Sequence, residues 1–211
     1  MNTMLATTAS LPRILKQPIS AGRRCRIDNY RLNPDQVNDF NRLLARLGRK
    51  ELPLDSDQLA TAARQLRTSE PATAPCIVER MRRFDALRSM VADSAWTPAN
   101  GTTALAMVVI GYVNGHEHVI PEQLPGAVHL DDAIVVDTAW PRLSSEVDEY
   151  LDFHRLHLVE ASLHGCDPEA FTFTRDAWQQ ARLAEAALAK HQRGVRERSY
   201  IPTTSALFQV R

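Results

Sequence analysis

The sequence predicts an all-α fold of about six helices, packed as a compact bundle around a central apolar helical hairpin. Three observations carry this. Apolar residues recur at spacings of three and four in one segment after another. Asn, Asp, Ser or Thr stands at the start of several of these segments, and Gly closes others. No stretch shows strand alternation bounded by hairpin turns; Val119-Ile120 and Phe171-Thr172-Phe173 are too short to build a sheet.

The elements follow in order. Residues 1–32 read as an irregular basic arm, because Pro12, Pro18 and Gly22 interrupt any helical pattern. The first helix opens at Asn33-Pro34, where Asn can accept from first-turn N–H groups and Pro suits the first helical position. Val37, Phe40, Leu43, Leu44 and Leu47 form its inner face, and Gly48 offers a left-handed stop. A second helix starts near Asp55 or Ser56, with Leu59, Ala62, Ala63 and Leu66 inward. After Pro71 and Pro75 a third runs to about Asp93, with Ile77, Met81, Phe84, Leu87 and Val91 inward and Arg80, Arg82, Arg83 and Arg88 on its other face.

Thr102 to Val113 is the most apolar element and has no sided polarity, so the expectation is a buried central helix. A loop with Pro and Gly leads to a helix beginning at Asp131 and continuing to about Leu163; Pro141 within it marks a kink or a boundary. Thr174 caps a last, Ala-rich helix, and 200–211 read as a tail. The domain reading is one helical domain over 33–199, flanked by the two tails.

The 211 residues and 44% hydrophobic content suit a globular chain with a real core, and argue against a disordered, collagen-like or disulfide-stapled one. Net charge is zero but unevenly laid out: +7 over 1–50, −1 over 51–100, −10 over 101–170 and +4 over 171–211. Such a chain folds its opposed parts together or shows separate faces to partners. The three cysteines, Cys25, Cys76 and Cys166, are far apart with no C-x-x-C, which points to reduced thiols and a cytoplasmic setting. No apolar run is long enough to span a bilayer, and the first twenty residues lack a signal-peptide pattern.

The most informative segment is Val119-Ile120-Pro121-Glu122-Gln123-Leu124-Pro125-Gly126-Ala127-Val128-His129-Leu130-Asp131-Asp132-Ala133-Ile134. An apolar helix, then Ile-Pro and an acid, a Pro and a Gly, then Leu-Asp-Asp-Ala at the next helix start resembles the YkvA-like family, bacterial proteins built around a domain of unknown function. The resemblance covers about residues 104–153, with Glu146, Val147, Tyr150, Asp152 and Phe153 in its downstream part, and places a helical hairpin at about 104–163. Glu122 stands where the family usually has Asp, His129 at an aromatic-like position and Val128 at a frequent Gly. The resemblance implies a helical hairpin and no activity.

Read physically, Pro121, Gly126, Asp131 and Asp132 are fold determinants: a tight crossover, with carboxylates at a helix N-terminus where N–H groups are unpaired. A second reading is a divalent metal site built from His116, His118, His129, Asp131 and Asp132, since imidazole and carboxylate suit zinc, manganese or iron. His154, His157 and Glu160 form a helical row that a metal or solvent would suit. No G-x-S-x-G, H-E-x-x-H, Walker or G-x-G-x-x-G motif is present.

The leading expectation is therefore a cytoplasmic, non-catalytic interaction or regulatory module without a cofactor, meeting a protein partner or a second copy. The alternatives are a metal-dependent hydrolase using the His/Asp-rich hairpin, and nucleic-acid binding through Arg23, Arg24 and Arg26 with the Arg-rich third helix.

Overall fold

The computed structural model describes residues 9–16, 25–27, 29–67, 73–99, 101–121 and 127–199. The fold is all-α. Six helices are present: α1 (Pro34–Leu47), α2 (Ser56–Arg67), α3 (Pro75–Ala92), α4 (Thr102–Val113), α5 (Leu130–Leu163) and α6 (Arg175–Ser199). A 3₁₀ turn, Arg13–Lys16, and a minimal antiparallel pair, β1 (Arg26–Ile27) with β2 (Tyr30–Arg31), precede them.

The local signals act as their chemistry dictates. Asn33 Oδ1 accepts from the Asp35 N–H at 2.9 Å, and Gly48 closes α1 at φ +102°. Asp55 and Gln58 form a reciprocal capping box before α2, with bonds of 2.7 and 3.0 Å. The Thr174 hydroxyl accepts from the Ala177 N–H at 3.3 Å at the start of α6.

The chain divides into two compact units, residues 1–151 and 152–211, with the division falling inside α5. In the first, Leu44, Leu47, Leu59, Ile77, Leu87, Met90, Leu130 and Leu143 are almost wholly buried. In the second, Phe153 and Phe173 stack at 5.3 Å, and the His157 ring lies parallel to Phe173 at 5.7 Å.

Four expectations change. The described parts of the arm are packed: Leu11, Leu15, Ile27 and Leu32 are buried, because apolar side chains between the prolines outweigh the irregular backbone. Backbone carbonyls there are claimed by side chains from beyond the arm, Leu15 by Arg49, just past α1, at 2.8 Å and Ile14 by Gln58 of α2 at 3.2 Å. The apolar α4 is only partly covered, with Ala106 and Val109 buried but Met107 53% exposed. The buried centre is instead the start of α5, where every residue from Leu130 to Val136 is buried. α5 also runs unbroken through Pro141, which only withholds one N–H from the ladder.

The fourth concerns α3. Arg80 is not on an outer face; it is 5% exposed. Its guanidinium meets Asp137 of α5 at 2.9 and 3.0 Å, and it donates to the carbonyls of Cys76 and Ala9. Arg83 pairs with Glu79 at 2.5 Å and covers the Trp140 ring at 5.0 Å. The buried guanidinium is tolerated because several of its donors have acceptors.

Candidate functional site

The site lies in the first unit, where the loop after α4 meets the first turn of α5. Asp131 and Asp132 enter α5 as its second and third residues, and both are 1% exposed. Burial of two adjacent carboxylates is costly unless donors or cations meet them.

Asp131 is met by donors from the preceding segment. Its Oδ2 accepts from the Tyr112 hydroxyl at 2.9 Å, the Val119 N–H at 2.9 Å and the Ile120 N–H at 3.3 Å. Apolar burial of Val119 and Ile120 holds those N–H groups in place. The carboxylate thus ties the loop back onto α5, with bonds that run across the crossover rather than along its own helix. Tyr112, which sequence reading did not single out, sits at the end of α4 with its ring 5.6 Å from Phe40 and 5.6 Å from His118. Burial and the Asp131 charge hold its phenol far above the usual range.

Asp132 is met differently. Its Oδ2 lies 2.7 Å from His129 Nδ1, while its buried Oδ1 has no hydrogen-bond partner. His129 precedes α5 with φ +63°, a left-handed conformation that His adopts more readily than bulky or β-branched residues, and its carbonyl accepts from the Ala133 N–H at 2.9 Å. Burial, then the charge of Asp131, push the Asp132 carboxyl up to about 6, against the pull of His129 and His118.

His118 stands over both carboxylates. Its Nε2 lies 2.9 Å from the Gly115 carbonyl, which can only accept, so Nε2 carries a proton. Its Nδ1 faces Asp132 Oδ1 at 3.3 Å and Asp131 Oδ2 at 3.7 Å, and its side chain is 9% exposed. Interaction with Asp131 outweighs burial and, with the charge of Asp132, lifts the imidazole to about 9.

Of the five residues suggested for a metal, His118, Asp131 and Asp132 offer ligand atoms within 4.8 Å of one another, the one such group among the described residues. His129 touches the group from outside through Asp132. His116 is exposed and lines a surface groove with Gln36, Asp39 and Glu117. Pro121 is the last described residue before 122–126, and Glu122 and Gly126 lie outside the described residues.

Elsewhere, His157 is placed by stacking and by its Nε2 at 3.0 Å from the Phe171 carbonyl, not in a ligand row with Glu160. Arg23 and Arg24 lie outside the described residues; Arg26 is exposed, and its carbonyl accepts from Arg64. Cys76 is buried and Cys166 exposed, and both are free thiols. No helix among the described residues is long and apolar enough to cross a membrane.

No family model, curated protein or solved structure matches the chain.

Proposed function

We propose that the chain is a non-catalytic, YkvA-like helical module that acts in the cytoplasm by presenting α6 to an acidic protein partner. The observation that carries this is the exposure of α6. From Gln179 to Glu197 none of its residues is buried, and Leu183, Leu188 and Val195 are 71%, 56% and 48% exposed. A helix standing free over that length is marginal in water, and its apolar side chains gain from cover. Lys190, Arg193 and Arg196 follow one another along it with no acid between them, so the complementary surface is acidic.

The His/Asp group supports the non-catalytic part of the reading. A hydrolytic metal keeps an open position for water and substrate, whereas both carboxylates here are 1% exposed and Asp131 is engaged in fastening the loop. The three unpaired thiols favour a reducing compartment.

The test is retention of lysate proteins by the immobilised full chain. Acidic proteins should be held, released by rising salt, and lost both by Leu188→Asp with Val195→Asp and by Lys190→Glu with Arg193→Glu. Retention indifferent to salt and to both variants, or no retention at all, overturns the proposal.

A further inference from the structure

We propose that His118, Asp131 and Asp132 bind one divalent transition-metal ion, Zn²⁺ or Mn²⁺, which locks the loop after α4 onto the first turn of α5. This inference does not rest on the α6 reading.

Four features point the same way. The first is the donor set: one imidazole nitrogen and two carboxylate oxygens suit borderline divalent ions rather than the all-oxygen preference of calcium or magnesium. The second is spacing. Ligand atoms about 2.0–2.2 Å from a tetrahedral ion stand about 3.3–3.6 Å apart; His118 Nδ1 is 3.3 Å from Asp132 Oδ1, and a carboxylate oxygen of Asp131 lies within 4.8 Å of the ligand atoms of both.

The third is the orphaned atom. Asp132 Oδ1 is buried on a residue 1% exposed, has no hydrogen-bond partner, and faces the imidazole nitrogen across the space an ion would fill. Without a hydrogen-bond donor this buried oxygen relies on the charge of His118 alone, a role that a bound cation would take over.

The fourth is the outer arrangement. Metal-bound His commonly donates its other ring N–H to a carbonyl, and bound carboxylates are themselves hydrogen-bonded. His118 Nε2 meets the Gly115 carbonyl, His129 meets the far oxygen of Asp132, and Tyr112 with two backbone N–H groups holds Asp131 by Oδ2, which leaves Oδ1 for an ion. The ligands come from two segments joined by a loop, so an ion between them would resist their separation. Three protein ligands leave a tetrahedral ion one position, and with both carboxylates 1% exposed that position is closed to substrate, so the ion's role is structural.

The experiment uses the full chain without a histidine tag, stripped with a chelator and exchanged into clean buffer. Zn²⁺ or Mn²⁺ is added, excess is removed by gel filtration, and the retained metal and the melting temperature are measured. Expected are one ion per chain and a melting temperature that rises with metal. Asp132→Asn and His118→Gln should each weaken affinity about 100-fold or more, measured by chelator competition, and His116→Gln should leave it unchanged. Co²⁺ should give tetrahedral visible absorption in the wild type that His118→Gln lacks. If Asp132→Asn does not fold, His118→Gln carries the comparison. Substoichiometric retention with an unmoved melting temperature overturns the proposal, as does wild-type affinity in His118→Gln.

Discussion

Tyr112, near the end of α4, donates a hydrogen bond from its hydroxyl to Asp131, the second residue of α5, across 2.9 Å. That bond and the two backbone N–H donors on the same oxygen join the arms of the hairpin through one carboxylate. Tyr112→Phe removes one donor of three and should cost about 1 kcal/mol. Asp131→Ala strands two buried N–H groups and the phenol at once, and should cost about 3 kcal/mol or more. Urea unfolding of both variants checks the ratio. Equal losses would show that Asp131 acts mainly through Tyr112.

Arg80 and Asp137 join the near-neutral segment 51–100 to the acidic segment 101–170 within the first unit. Arg80→Ala should destabilise by about 3 kcal/mol, because it empties a buried site and leaves its acceptors unmet. Asp137→Asn should cost less, about 1–2 kcal/mol, since the Asp137 side chain is 30% exposed and water can reach it. Chemical denaturation of the pair decides whether burial or charge dominates.

The pH response of the metal-stripped chain follows from His118. Its unfolded value is about 6.5, and in the fold, facing Asp131 and Asp132 with Tyr112 alongside, it is about 9. A raised folded value favours the protonated form, so this stabilisation is full below about pH 6.5 and fades as pH rises through about 9. Asp132, raised to about 6, has the same sign but acts in a lower window, from about 4 to 6. Melting temperature should therefore fall between pH 6.5 and 9, and His118→Gln should flatten that fall. Bound metal should flatten it too, because a ligating imidazole nitrogen has already lost its proton. A wild-type slope retained in His118→Gln would assign the effect to another group.

Much of this was legible in the sequence because helix starts are local chemistry. Asn33, Asp55 and Thr174 act within three residues of themselves, so spacing alone reveals them. The convergence of His118 with the Asp pair was half legible: the residues share a short segment, but choosing His118 over His116 needed the turn at Gly115. Arg80 was not legible, since its partner lies 57 residues away and an Arg on a helix face reads as solvated. Nor was the exposure of α4, because an apolar helix carries no mark of how much of it is covered.

Trp178 anchors the start of α6 to Asp152 within the second unit. Its indole Nε1 donates to Asp152 Oδ2 at 2.8 Å, and Arg182 and Arg155 approach the same carboxylate at 3.3 and 2.9 Å. Burial pushes the Asp152 carboxyl up, but these donors and charges outweigh it and hold it below the usual range. A depressed value makes the ionised form the stabilising one, so this contribution is present near neutrality and lost as pH falls through the carboxylate range. Trp178→Phe keeps an aromatic ring but removes the N–H, and should cost about 1 kcal/mol. Trp178 is also the last buried residue of α6 among those described, so loosening it should free the rest of the helix. Hydrogen exchange should quicken along α6 in Trp178→Phe while α1 to α4 stay as protected as before. Unchanged exchange in α6 would mean that the helix is held by contacts other than this anchor.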